Sequence, residues 1–371
     1  VLSLIQRHGG LPSAEIARRS NLSAQTVSII IRALEKDGLL LRGDPIRGKV
    51  GKPSVPMILN PDGILSFGLN IGRRSADLVL IDAVGVVRSQ LKTTYPFPVP
   101  EDIMQFLETG FKELSSGLSK AQAETVAGIG VAAPFELWNW LEAVGAPPEE
   151  MQKWRNFDLQ GEVAKRTGLP VITQNDATAA CTAEHVFGRG REFTDYAYIF
   201  IGSFIGGGIV LNHTVYSGRT GNAGAFGPLP VTGGKPGSTQ LLHNASMYLL
   251  ERKLVEAGID ARRIWDPECD WSGIDAILDE WIDNTARHLA IAVVAACSVI
   301  DFERVLIDAN CPSPVRHRIV FETQKYVHRL DTRGIADPEV IEASVGRNAR
   351  SIGAATLPLM SRFFLNQQGF A

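Results

Sequence analysis

The chain has 371 residues, 45% of them hydrophobic and 21% charged, with a formal net charge of −3, which fits a globular protein of two or three domains and excludes a disordered or fibrous one. No stretch approaches eighteen uninterrupted apolar residues, so no membrane partner is expected, and the first residues read as neither a signal nor a transit peptide. Four scattered cysteines (Cys181, Cys269, Cys297, Cys311) form no C-x-x-C pair; they suit reduced thiols in a cytoplasm, with Cys181 and Cys297 in the core.

Residues 11 to 58 read as a winged helix-turn-helix. Ser13 to Arg19 suits a short helix with Ser13 as its N-cap, Asn21-Leu22 supplies the turn, and Ser23 caps a second helix running toward Gly38. In that helix Val27, Ile30, Ile31 and Leu34 keep helical spacing and face a small core. Gln25, Thr26, Ser28 and Arg32 are left outside with Ser23 at the start, where polar side chains reach base edges in a major groove. Leu39 to Leu41 then reads as a strand, residues 42–53 as a wing tip whose Arg47, Lys49 and Lys52 hold phosphate, and Val55 to Leu59 as the return strand. Charge supports this division, because residues 1–57 hold nine Lys/Arg against four Asp/Glu in a chain that is acidic overall. A basic module on an acidic body points to a polyanion partner at one end; the helix-turn-helix spacing together with the basic, glycine-rich wing makes that partner double-stranded DNA, against the alternative of a solvated protein-interaction module.

The remainder is built twice from one theme. Ser66 to Ile71, Ala76 to Asp82 and Val86 to Thr94 predict a strand meander, followed by a helix over Ile103 to Leu118 and a strand over Val126 to Ala132. The second copy begins at Tyr196 to Ile201, turns at Gly206-Gly207-Gly208, and continues through Ile209 to Asn212 and Val215. Helices over Gln240 to Ala257 and Gly273 to Ser298, a strand over Arg304 to Asp308, and a helix over Ser351 to Phe364 complete it. Periodicity alone gives α/β with mixed sheets; two meander-plus-helix halves around a cleft match the actin-like sugar kinase and heat-shock ATPase architecture.

The residues also carry a family resemblance. Gly51-Lys52-Pro53, Gly128 to Pro134, Trp154 to Leu159, Gly168 to Val171, Gln174 to Ala180, Gly221-Asn222-Ala223-Gly224 and Gly353-Ala354-Ala355 stand in an order and spacing that resembles the ROK family (repressors, open reading frames and sugar kinases), in its transcriptional repressor branch. The resemblance implies an α/β fold: an N-terminal winged helix-turn-helix (1–60) before a two-lobed actin-like, sugar-kinase-like (ribonuclease H-like) body, with a first lobe over 61–190 and a second over 191–371.

The departures from the family pattern fall on the chemistry. Where ROK kinases have an Asp-x-Gly-Gly-Thr phosphate turn, this chain has Asn70-Ile71-Gly72-Arg73-Arg74-Ser75, an amide for the carboxylate and two arginines where small residues let backbone approach phosphate. Arg73 and Arg74 read either as surface turn residues or as cations that attract an acidic effector. The second phosphate loop carries Phe204 in a position expected bare, and the stretch where the family's Gly-Gly pair accepts adenosine is Asp308-Ala309-Asn310. Phosphoryl transfer is not expected, so no catalytic residue and no cofactor is assigned.

On the sugar side Asn175 and Asp176 match the family's hydroxyl-holding pair, although Asn-Asp is also a common turn and cap. The family's glutamate and histidine are replaced by Ala225 and Pro228, and by spacing a further glutamate by Leu242. Pro134 matches the pocket-lining proline, while Phe135 replaces a glycine and, with Trp138 and Trp140 near it, stacks on a ring or fills space. The family's zinc cysteines have no counterpart around Gly233 to Gln240, so no metal is expected there. His243 and Asn244 read as polar contacts or as a solvated helix face. The expectation is a cytoplasmic repressor of carbohydrate-related genes, a homodimer or homotetramer, that binds an operator and a sugar-like effector through Asn175, Asp176, Pro134, Phe135 and Ala225. A regulator controlled by a protein partner, and an active ROK sugar kinase, are the alternatives.

Overall fold

The computed structural model describes residues 1–46, 54–134, 137–139, 145–231, 240–265 and 271–364. At the N-terminus, helices α1 (Leu2–His8), α2 (Ser13–Ser20) and α3 (Ala24–Lys36) accompany a sheet ordered β1 (Leu11–Pro12), β3 (Pro56–Leu59), β2 (Leu40–Arg42). Helix α1 lies outside the expected elements, because seven residues with only Ile5 buried carry almost no periodicity. Ser13 does not cap α2. It is the first helical residue, and Pro12 holds the cap position, extended by its pairing with Pro56. Asn21 makes the turn with φ 55, a left-handed conformation that asparagine tolerates. Ser23 caps α3 as expected, its hydroxyl accepting from the Thr26 amide at 3.1 Å.

Two five-stranded sheets form the body. The first orders β6 (Val87–Thr94), β5 (Ser75–Asp82), β4 (Leu65–Ile71), β7 (Val126–Ala133) and β8 (Val171–Asn175); the second orders β11 (Thr214–Tyr216), β10 (Ile205–Leu211), β9 (Tyr196–Ile201), β12 (Arg304–Ala309) and β13 (Val340–Glu342). In each, three antiparallel strands are followed by two parallel ones, so the repeat read in the sequence is a repeat of topology. Helices α4 (Pro100–Ser116), α5 (Lys120–Glu124), α6 (Pro148–Gln152) and α7 (Leu159–Thr167) belong to the first half, and α8 (Asp176–Phe187) follows β8. The second half adds α9 (Leu242–Ala245), α10 (Met247–Glu256), α11 (Asp275–Val299), α12 (Ser313–Val327) and α13 (Ala349–Phe363).

Gly206-Gly207-Gly208 is not a turn but the middle of β10, and the chain turns between β9 and β10 instead. Close packing is the reason. A Cβ on Gly206 would stand 2.9 Å from the Ala177 methyl and one on Gly208 would stand 2.6 Å from the Cys181 Cβ, so bare backbone lets α8 lie against the strand.

The last helix, α13, packs against β4, β7 and α8. Added Cβ atoms on Gly130 and Gly353 would stand 1.8 Å from the Ala354 and Ala179 carbonyl oxygens, respectively. Residues 349–363 of the span 191–371 thus complete the layer on the first sheet.

The N-terminal module is not a separate body. Ile5, Ile16, Val27 and Ile31 share one continuous apolar core with Ile64, Val79, Ile81 and Leu359. The Gln6 side-chain amide donates to the Val186 carbonyl near the end of α8 at 2.5 Å. Cys181, Cys297 and Cys311 are buried free thiols; Cys269 lies outside the described residues. Among those residues no helix is long and apolar enough to cross a membrane.

Candidate DNA-reading face and effector cleft

At about 100° per residue, Gln25, Ile29, Arg32 and Lys36 line the side of α3 opposite the buried Val27 and Ile31, with Thr26 and Ser28 on its two flanks. Gln25 and Arg32 are exposed as expected, but Ser28 is half-buried. The Thr26 hydroxyl sits 2.8 Å from that of Ser23, inside the cap. Ile29, 62% exposed, is absent from the expected face although its four-residue spacing from Gln25 signals it. Glu35, half-buried on the Ser28 flank, holds Arg42 of β2 at 2.9 Å. Arg47, Lys49 and Lys52 lie outside the described residues.

The cleft is organised around the carboxyl ends of β7 and β8. Ala133, which precedes the buried Pro134, pairs with Asn175, which precedes Asp176. Phe135 and Trp140 lie outside the described residues, and Trp138 packs on the first core. The Asn175 side-chain carbonyl is spent on the Ala177 and Thr178 amides at 3.0 and 3.1 Å, so the cap reading describes that oxygen. Asp176 accepts the Ala177 amide with one carboxylate oxygen at 3.0 Å and faces the Arg350 guanidinium with the other at 3.5 Å. Ala225 is exposed, on a segment whose Gly224 lies against the Gly208 backbone. Leu242 belongs to the second-lobe core at 2% exposure and offers nothing to a ligand. His243 is exposed and meets the Tyr248 hydroxyl at 3.0 Å.

Arg73 is buried rather than a surface turn residue, its guanidinium 4.0 Å from the centroid of the Phe204 ring in the opposite lobe. Burial pulls its pKa down, and the nearby Asp176 charge works against that. Arg74 reaches across as well, to Glu251 on α10 at 3.3 Å. The two arginines that replace the small phosphate-turn residues therefore bridge the lobes. Asn70, 1% exposed, donates to Asp77 at 3.4 Å, and its carbonyl oxygen has no hydrogen-bond partner among the described residues.

Asp308, fully buried at the end of β12, accepts from the Tyr198 hydroxyl at 3.0 Å, the Gly346 amide at 3.0 Å and Arg316 at 3.2 Å. Burial pushes its pKa up to about 6 against the pull of Arg316. This carboxylate ties three segments together, yet space remains beside it. A cavity of about 730 Å³ is lined by Trp271, Cys311 and the Asp308 partners Arg316 and Gly346. A second, of about 400 Å³, lies between the lobes and is lined by Asp77, Lys92, Trp265, Arg347 and Arg350. Among the described residues no cluster of His, Cys, Asp and Glu could hold a metal ion.

Helix α8 connects the cleft to the DNA module. It begins at Asp176, and near its other end the buried Glu184 accepts from the Arg189, Ser344 and Val345 amides at 2.8 to 3.1 Å. Val186 then meets Gln6 of α1.

With this geometry in view, the comparisons agree. The profile described as ROK family matches residues 66–360, and one described as winged helix-turn-helix DNA-binding matches residues 1–40. The xylose repressor of Caldicellulosiruptor bescii is 25% identical over 78% of this chain and 72% of its own length. A ROK family transcriptional regulator described as a homologue of the Escherichia coli MLC protein superposes with a TM-score of 0.68 at 22% identity, over 96% of this chain and 93% of that one. A ROK family glucokinase from Streptomyces griseus, in complex with glucose and AMPPNP, gives a TM-score of 0.64 at 23% identity over 79% and 98%. The likeness to both kinds of protein, the family profile over most of the length and the repeated sheet topology lead to one assignment: the chain belongs to the ROK family and carries an N-terminal winged helix-turn-helix.

Proposed function

We propose that this protein is a DNA-binding transcriptional repressor whose kinase-like body senses a small molecule and transfers no phosphate. The observation that carries the reading is the bridge of Arg73 onto Phe204. A guanidinium stacked on a ring fills the turn-to-turn gap where phosphoryl transfer needs bare backbone around the donor's phosphates. The names of relatives such as the xylose repressor favour a sugar or sugar derivative as effector. Such a ligand would compete with Arg350 for Asp176, since a carboxylate can accept hydrogen bonds from two hydroxyls and the Arg350 contact is at the long limit of a hydrogen bond. Release of Arg350 removes the ion pair between α13 and the start of α8, and α8 passes the change to α1 through Val186 and Gln6. A two-fold operator follows if two modules act together.

The test pairs two measurements on the full chain. Operator binding should fall with one member of a panel of sugars, sugar acids and sugar phosphates, and a coupled assay with the same panel should show no ATP turnover. Sugar-dependent ATP consumption above background would overturn the reading. Control by a protein partner gains support from Leu242, which stands where the family has a sugar-contacting glutamate and is buried in the second-lobe core; a panel that neither weakens operator binding nor shifts the melting temperature would favour it.

A further inference from the structure

Ile29 is 62% exposed, and single exposed apolar residues need no special cause. Its setting does. It stands on the outer line of α3 between Gln25, one turn before it, and Arg32, about one turn after, opposite the buried Val27 and Ile31. Its neighbours on that line are polar groups suited to base edges, and a branched apolar side chain among them matches the one apolar feature of a major groove, the thymine 5-methyl group.

We infer that Ile29 is a specificity-determining residue that packs on a thymine methyl in the operator, next to the base pair met by Gln25. The inference rests on the DNA-binding reading and narrows it. Polar residues alone on this face would read donors and acceptors; Ile29 adds a requirement for a methyl that neither cytosine nor uracil supplies. Because the side chain makes few contacts within the module, its truncation leaves the fold intact.

The test begins by selecting sites from a random duplex library with the full chain, then replacing each thymine of the selected site by deoxyuridine, which removes only the methyl. One replacement should weaken wild-type binding about fourfold, the worth of burying one methyl-sized group. Ile29→Ala should bind the thymine duplex more weakly by a similar factor and bind the thymine and uracil duplexes equally, with Ile29→Val in between. An Ile29→Ala protein that keeps the wild-type thymine-to-uracil ratio, or a site in which no thymine is sensitive, overturns the assignment while leaving DNA recognition standing. Failure to select any sequence overturns both.

Discussion

Replacing Asp176 by Asn removes the carboxylate that faces the buried Arg350 and lies within the field of Arg73, and its effect follows from the geometry. Opposite charges at the observed 3.5 Å attract by about 5 kcal/mol at an effective dielectric of ~20. The side chains remain 9% and 13% exposed, and the separation is at the long limit of a hydrogen bond, so about half of that, 2 to 3 kcal/mol, is expected as coupling. The side-chain carbonyl introduced by Asp176→Asn can still accept from the Ala177 amide, which isolates the charge. Arg350→Met alone also loses the contact with the Phe200 ring at 5.1 Å, so a cycle is required rather than one variant. Urea unfolding of wild type, Asp176→Asn, Arg350→Met and the double variant, at one pH and salt, should show the double loss falling short of the summed single losses by about 2 kcal/mol. Additivity to within about 0.5 kcal/mol would refute the pairing and the competition drawn from it.

Three further outcomes are expected. Gly130→Ala places a methyl 1.8 Å from the Ala354 carbonyl oxygen and should cost about 3 kcal/mol by forcing α13 off the sheet; an unchanged melting temperature would show that the helix can retreat. Gln25→Ala and Arg32→Ala should each lose about 1 to 3 kcal/mol at particular base pairs, whereas Thr26→Ala, inside the cap, should lower stability by about 0.5 kcal/mol and leave base preference alone; a changed binding site with Thr26→Ala would contradict the face assigned to α3. Burial pushes His185 down to about 4 from 6.5. The unfolded chain therefore takes up a proton first, so stability is lost as pH falls from 6.5 to 4, by up to about 3 kcal/mol. His185→Gln should flatten that limb relative to wild type, and equal pH slopes would clear His185 of the effect.

Much of the fold was legible because its signals are local and periodic. Strands β4, β5, β6, β7, β9 and β12, long helices such as α4 and α11, and the Ser23 cap follow from spacing and side-chain chemistry, whereas the edge strands β8 and β13 and helix α12 lie outside the expected elements. The errors share another cause. Gly206 to Gly208 look like a turn because glycine permits one, and only the nearness of α8, a tertiary fact, makes them a strand. At the candidate site the sequence supplied the types of residue and not their engagement: Asn175 and Asp176 were recognisable, while the guanidinium of Arg350 facing Asp176 comes from 174 residues further along the chain. Arg73 shows the same limit, since nothing adjacent to it predicts that a turn arginine is roofed by Phe204. Ile29 was missed for a different reason. It falls off the core line by its helical angle, and an outer face drawn from polar residues alone leaves it out as well.

The apolar core that runs from Ile16 and Val27 into Val79, Ile81 and Leu359 bears on how such proteins can be recombined. A module joined by a flexible linker can be exchanged freely, but here the seam is part of both partners' interiors. Residues 1–60 grafted onto another body would leave Ile5, Ile16, Val27 and Ile31 facing an unmatched surface, and the donor body would be left with Val79, Ile81 and Leu359 exposed. Exchange of operator preference between relatives should therefore proceed by substitution on the outer line of α3, which touches no shared interior, while whole-module chimeras should fold only when the residues of the seam travel together.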